Sequence, residues 1–121
     1  MQIHFSGINI SAKDPVRSFA FYKGIGLSVK AEVEPENEWY GAEFDLGNGS
    51  ILWIWRDHGG NDAANTGRMT MQLVINCDDM DKTYADLMEK GYAVTPPELM
   101  FYGGREMNLV DPDGNRILFL D

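Results

Sequence analysis

Two tryptophans and three carboxylates are the side chains in this sequence whose types and spacing best suit ligand chemistry. Trp53 and Trp55 alternate within a short apolar run, so a strand there would point both indoles to one face. An indole supplies a large flat surface and one N–H donor, which suits a planar or cationic organic molecule. Glu43, Asp45 and Glu106 would pair with a positive group of that molecule, or one of them would serve as a general base.

Other catalytic machinery is not visible in the sequence. The single cysteine, Cys77, has no assignable histidine neighbour, and one cysteine makes neither an internal disulfide nor a zinc cluster. We therefore expect no catalytic residue. The competing interpretation of the tryptophans is that they fill a cavity, and that of the carboxylates is that they line its solvated rim.

Composition and charge limit the protein's class and its partners. With 121 residues, of which 44% are hydrophobic, the chain predicts one globular domain over residues 1–121. The formal net charge of −9 argues against DNA or RNA as a partner, because phosphate binding needs clustered cations. The longest apolar run, residues 51–55, is far too short to span a membrane. We expect a cytoplasmic protein with no nucleic-acid or membrane partner.

The elements that must position these side chains follow a βαβββ order in the first half. Asp14 followed by Pro15 predicts an N-cap and a first helical residue, and the helix should end near Gly24. Its predicted buried stripe is Val16, Phe19 and Ala20. Alternating or apolar runs predict strands at residues 3–10, 27–33, 39–46 and 50–56, with a tight turn at Asn48-Gly49.

The second half repeats this order at a constant offset of 65 residues, which relates Asp79, Gly91 and Gly114 to Asp14, Gly26 and Gly49. The offset predicts a strand at residues 69–76, a helix from about 79 to 90 with Tyr84, Leu87 and Met88 buried, and three further strands. The fold class is therefore α+β. Two tandem βαβββ modules, about residues 3–56 and 68–121, form a curved mixed sheet around a cleft, with the helices on the outer face and a connection at residues 57–67.

Strand parity then assigns side chains to the two faces of the sheet, because alternate residues point to opposite sides. The paired apolar positions predict the core as Ile8, Ile10, Phe44, Leu52, Ile54, Leu73, Ile75, Leu109, Ile117 and Phe119. The opposite face and its rim give the predicted ligand-binding residues: Phe5, Gly7, Trp39, Glu43, Trp53, Trp55, Gln72, Phe101, Tyr102, Glu106, Asn108 and Leu118. Within this set, residues 101–104 are interpreted as a mobile aromatic loop at the cleft mouth or as a dimer contact.

Three segments of the sequence resemble one known family. They are Ile8-Asn9-Ile10 leading to Asp14, the run from Arg17 to Tyr22 with Gly26-Leu27, and Asp111-Pro112-Asp113-Gly114-Asn115 before the last strand. On these residues the chain resembles the vicinal oxygen chelate superfamily, which includes glyoxalase I, extradiol dioxygenases and the bleomycin resistance proteins. The resemblance covers nearly the whole chain.

The resemblance also implies where a metal ion would be held. In metal-using members the ligands are His or Gln and Glu, at positions that fall here on Gly7, Trp53, Gln72 and Leu118. Of these four only Gln72 offers a suitable donor, so we expect neither a metal ion nor another cofactor. Three replacements stay open: His4, if the first strand carries a bulge, His58 in the connection, and a shifted site of Glu43, Glu106 and Gln72.

Our hypothesis is a metal-free protein similar to the drug-sequestering branch of that family, which holds an aromatic or cationic antibiotic or metabolite between tryptophans. The resemblance implies a homodimer that shares its clefts. One alternative is a lyase, isomerase or dioxygenase that uses a displaced metal site or a carboxylate general base. Another is a regulatory module whose cleft is closed by its own tryptophans.

Overall fold

The computed structural model describes residues 6–38, 40–57 and 72–121 of the chain. The elements of the first half are β1 (Gly7–Ala12), α1 (Pro15–Gly24), β2 (Ser28–Glu32), β3 (Gly41–Gly47) and β4 (Ser50–Arg56). Those of the second half are β5 (Gln72–Asn76), α2 (Met80–Glu89), β6 (Glu98–Leu99), β7 (Arg105–Val110) and β8 (Arg116–Leu120). The predicted α+β fold of two βαβββ modules is confirmed, and each module contributes a four-stranded mixed sheet, β1-β4-β3-β2 and β5-β8-β7-β6.

Corresponding strands of the two sheets are paired in the same hydrogen-bond register. In the parallel pair β1 and β4, Asn9 lies opposite Trp53. In the parallel pair β5 and β8, the residues 65 positions later, Val74 and Leu118, lie opposite each other in the same way. The offset read from the sequence therefore holds for the backbone pairing as well as for the order of elements.

The repeat breaks at β6, which has only two residues where β2 has five. Pro96 and Pro97 stand 65 residues after the last two residues of β2, and proline has no N–H to donate to a strand ladder. Just before the two prolines, the Thr95 N–H donates a strand-like backbone hydrogen bond to the Asn108 carbonyl at 2.9 Å. The sequence predicted a full strand here because the alternation of apolar residues does not register the backbone N–H groups that the prolines lack.

Both helices begin where their caps predict. The Asp14 carboxylate accepts the Arg17 N–H at 3.2 Å, and the Asp79 carboxylate accepts the Lys82 N–H at 3.1 Å. Pro15 is the first residue of α1. The caps fix the start of each helix and hence which of its residues face the sheet.

The stripe predicted for α1 was wrong at two of its three positions. Val16 is 40% exposed and Ala20 is also exposed, while Phe19 is partly buried against the core. The buried positions are instead taken by Ser18 and Tyr22. Their hydroxyls donate to carboxylates of the second module, and a satisfied hydroxyl can be buried where hydropathy alone predicts exposure.

The stripe predicted for α2 needs one correction. Met88 is 49% exposed, whereas Met80 in the first turn is 2% exposed, as is Leu87. Tyr84 is partly buried against the core, as predicted. Met80, Tyr84 and Leu87 lie on one helical face at spacings of four and three, and Met88 lies one residue beyond it.

The core runs through both modules as a single cluster. Of the predicted core residues, Ile8 and Ile75 are partly buried, and the others are buried: Ile10, Phe44, Leu52, Ile54, Leu73, Leu109, Ile117 and Phe119. Strand parity was therefore assigned correctly, and the residues between these core positions point to the opposite face of each sheet. No helix among the described residues is long and apolar enough to cross a membrane.

Asp111 joins the two modules inside this core. Its carboxylate accepts the Tyr22 hydroxyl of α1 at 2.7 Å, the Asn115 side-chain amide at 2.9 Å, and the backbone N–H groups of Asp113 and Asn115. Asp111 is only 4% exposed, and these four hydrogen bonds from the protein itself take the place of water around the carboxylate. Burial, followed by the Asp111 charge, raises the pKa of Tyr22 far above its ordinary range, so the phenol stays protonated as the donor.

Candidate functional site

The first module places the Glu43 carboxylate beside the Trp53 indole. On the face opposite the core, the register sets Asn9 and Glu43 on either side of Trp53 in neighbouring strands. Glu43 and Trp53 are both partly buried. Among the described residues Glu43 makes no hydrogen bond or ion pair. Asp45 differs, because it accepts the Gly47 N–H at 2.8 Å and belongs to the turn between β3 and β4.

Trp55 lies on the same face, directly against the backbone of Gly41. A Cβ atom on Gly41 would lie 2.2 Å from Cε3 of the indole, so only glycine leaves room for the ring. Trp55 keeps 38% of its surface exposed and is the more open of the two tryptophans. Gly41 was not among the predicted site residues, although a glycine inside a strand pattern indicates such a close approach.

The second module presents a more apolar face. Val74 on β5 lies opposite Leu118 on β8, which lies opposite Asn108 on β7. Val74 is 57% exposed, and Leu118 and Asn108 are partly buried. Gln72 is exposed at the start of β5 on the same face. This face therefore offers aliphatic contact and two amide groups, together with the exposed guanidinium of Arg116 opposite Gln72.

The aromatic loop of residues 101–104 is tied to the second module through one contact. The Tyr102 hydroxyl donates to the Glu106 carboxylate at 2.5 Å, and this bond raises the pKa of Tyr102 to about 12. Phe101 is 98% exposed and meets the Tyr102 ring edge-on at 5.4 Å between centroids. Two predicted ligand residues, Tyr102 and Glu106, are thus brought together, and the Glu106 carboxylate already has a donor.

The residues at the metal positions do not fit a divalent ion. A Cβ atom on Gly7 would lie 1.8 Å from the Ile51 carbonyl oxygen, so no side-chain ligand has room there. Trp53 and Leu118 offer no lone pair to a cation, which leaves Gln72 alone. In the described part of the chain no three His, Cys, Asp or Glu side chains come together to hold a metal. Four of the candidates, Phe5, Trp39, His4 and His58, lie outside the described residues.

Cys77 lies in a separate hollow at the junction of the modules. This hollow has a volume of about 350 Å³, and a neighbouring one of about 480 Å³ shares Leu27, Ile75 and Asn76 with it. Asp45 and Val74 line the larger of the two, and neither hollow contains Glu43, Trp53 or Trp55. Burial raises the pKa of the Cys77 thiol, which keeps it protonated and disfavours a nucleophilic role.

One protein-family model matches this chain. A model described as the Glyoxalase/Bleomycin resistance protein/Dioxygenase superfamily matches residues 4–119. No curated protein sequence matches the chain significantly.

Solved structures with the same fold include both binding proteins and an enzyme. An antibiotic binding protein, TnmS3 from Streptomyces sp. CB03234, aligns with a TM-score of 0.77 and 24% identity, covering 99% of this chain and 97% of that one. The bleomycin resistance determinant encoded on the transposon Tn5 gives 0.71 and 20%, with 98% of each chain covered. Lactoylglutathione lyase from Agrobacterium tumefaciens gives 0.72 and 17%, covering 99% and 94%. At these identities the likeness establishes the fold.

Proposed function

We propose that this chain, which belongs to the Glyoxalase/Bleomycin resistance protein/Dioxygenase superfamily, is a metal-free binding protein that sequesters an aromatic or cationic organic molecule. The ligand would be an antibiotic or a metabolite, held on the face that carries Trp53 and Trp55. We expect two chains to pair and cover these faces, which leave Trp55, Val74 and Val110 between 38% and 57% exposed.

The observation that carries the proposal is the Glu43 carboxylate beside Trp53, which makes no hydrogen bond or ion pair with the residues that the structure describes. A ligand cation placed beside Glu43 would form a charge-assisted interaction with this carboxylate. The neighbouring indole adds a cation–π contribution of about 0.5–2 kcal/mol. Trp55, fixed over Gly41, adds a second flat surface on the same strand.

Two further facts support binding without metal chemistry. The close approach of Gly7 to the Ile51 carbonyl removes one ligand position. Among proteins of the same fold are an antibiotic binding protein and a bleomycin-binding protein complexed with bleomycin. Both facts favour a face adapted to organic contact.

The test compares two planar probes by isothermal titration calorimetry at neutral pH, 9-aminoacridine as the cation and acridine as its neutral analogue. Trp53→Ala should weaken both probes by roughly tenfold or more, because it removes a stacking surface. Glu43→Gln should weaken the cation selectively. Glu36→Gln, which removes the same charge from an exposed loop of the same module, is the matched control and should bind both probes like the wild type.

Two results would contradict the proposal. One is full affinity of Trp53→Ala for both probes, which would mean that the ligand face is elsewhere. The other is loss of binding on adding a chelator to purified protein, together with a stoichiometric divalent ion that Gln72→Ala removes.

An enzyme remains the second candidate, and Glu43 is also the observation that favours it. A partly buried carboxylate without a donor can accept a proton from a bound substrate as a general base. A measurement of substrate turnover distinguishes the two functions. A lyase or isomerase would convert its substrate at a rate that Glu43→Gln abolishes, whereas a binding protein returns the ligand unchanged.

A further inference from the structure

Arg116 is a cationic residue on the cleft face of the second module. On β8, Ile117 and Phe119 point into the core, so Arg116 shares the opposite face with Leu118. The register places Arg116 directly opposite Gln72 on β5. Arg116 and Gln72 therefore lie next to each other on two adjacent strands, on the face free for a ligand.

Neither of these two side chains is committed to a partner. Arg116 and Gln72 are exposed, and neither makes a hydrogen bond or ion pair with the described residues. Arg105 shows the contrast, because Asp81 and Asp121 hold its guanidinium at 3.0 and 2.8 Å. In a chain with a formal net charge of −9, Arg116 forms no ion pair with an acidic side chain in the described part of the chain.

The surroundings of Arg116 are apolar. Val110 lies opposite it on β7, and Val74 follows Gln72 on the same face of β5. These valines are 55% and 57% exposed. A guanidinium flanked by aliphatic side chains is suited to a ligand that combines a hydrocarbon body with an anionic end, since the fork of N–H groups matches a carboxylate.

We infer that Arg116 and Gln72 form a carboxylate-binding subsite on the cleft face of the second module. The inference rests on the proposed function, in which this face contributes to a ligand cleft. Arg116 supplies two parallel N–H donors and the charge, and the Gln72 amide supplies a third donor. Gln72 and the nearby Leu118 stand at two of the positions that metal-using relatives would give to metal ligands, and the Arg116 guanidinium places positive charge beside them.

On the side opposite the core, the two modules carry opposite charges that have no partner among the described residues. The first module has Glu43 with two indoles, and the second has Arg116 with two valines and an amide.

The experiment uses the full chain and a planar anion, 9-anthracenecarboxylate, measured by isothermal titration calorimetry. The wild type should bind it, and Arg116→Gln should bind it roughly tenfold more weakly or worse. Arg116→Lys should fall between the two, because an ammonium keeps the charge and loses the fork. Arg17→Gln, which removes the same charge from an exposed position on α1, is the control and should match the wild type.

Equal binding by Arg116→Gln and the wild type would overturn the subsite, and so would an equal loss in Arg17→Gln, which would reveal a general charge effect. Parallel titrations with 9-aminoacridine separate this inference from the proposed function. Binding of 9-aminoacridine that depends on Trp53, with no binding of the anion, refutes the subsite alone. Anion binding that depends on Arg116, with no effect of Trp53→Ala or Glu43→Gln on 9-aminoacridine, supports the subsite and refutes the cation site. If the wild type binds neither probe, both proposals fail.

Discussion

The hydrogen bond between Tyr22 and Asp111 should be one of the main ties between the two modules. Tyr22 is fully buried, and its hydroxyl lies 2.7 Å from the Asp111 carboxylate. Tyr22→Phe keeps the ring and removes only the donor. The Asp111 carboxylate then loses one of its four hydrogen bonds, in a place where water cannot readily replace it.

The magnitude follows from burial and charge. A hydrogen bond to a buried charged group contributes about 1.5–3 kcal/mol, so Tyr22→Phe should lower the free energy of unfolding by about that amount. For a chain of 121 residues, an unfolding entropy of about 2.1 cal/mol/K per residue converts this loss into a Tm decrease of about 6–12 °C. The measurement is thermal and urea unfolding followed by circular dichroism.

The chain contains a matched control for this substitution. Tyr102 also donates to a carboxylate, that of Glu106, but its side chain lies at the surface. Tyr102→Phe should therefore leave the free energy of unfolding close to that of the wild type. Equal losses in Tyr22→Phe and Tyr102→Phe would refute the reasoning, because burial would then not decide the contribution. A Tyr22→Phe loss that persists undiminished in an Asp111→Asn background would refute the specific pairing.

Three further predictions concern the site and the junction. Gly41→Ala should displace the Trp55 indole, shift its fluorescence emission and weaken 9-aminoacridine binding, because the new Cβ would lie 2.2 Å from the ring. Glu106→Gln should lower the pKa of Tyr102 from about 12 towards 10.0, measured as the tyrosinate absorbance that disappears in Tyr102→Phe. Burial raises the pKa of Asp113 above its ordinary 3.8, so the folded state favours the protonated carboxyl. As the pH rises through this raised pKa, the carboxyl becomes charged and the folded state loses stability. The stability of Asp113→Asn relative to the wild type should therefore improve between about pH 4 and about pH 7 in urea unfolding; a constant difference would contradict this.

Strand parity was the part of the fold that the sequence predicted best. A period of two leaves only two choices for each strand, and the 65-residue repeat required both halves to make the same choice. The burial of Leu52 and Ile117 with partial exposure of Trp53 and Leu118 confirms it. The face that bears the candidate ligand residues could therefore be assigned before any coordinates were known.

The buried faces of the helices were predicted less well, because local hydropathy carries no information about hydrogen bonds between residues 89 or 95 positions apart. Ser18 and Tyr22 are buried because carboxylates of the second module accept their protons, and no local pattern shows that. The same limit applies to the site. Glu106 is engaged because Tyr102 of the preceding loop donates to it, and strand parity does not place the side chains of a loop.

The segment that carried the most specific resemblance is structural in this protein. Asp111 and Asn115 of the Asp-Pro-Asp-Gly-Asn run are buried, and their hydrogen bonds close the turn before β8 and fasten α1 of the other module. Such a motif can establish the family without touching the ligand. The residues that would decide chemistry lie on the opposite face, where Gly7 packs too closely on Ile51 for any side chain to act as a metal ligand. Family membership consequently transfers the architecture to this chain, and the uncommitted charges of Glu43 and Arg116 have to be tested for its ligand.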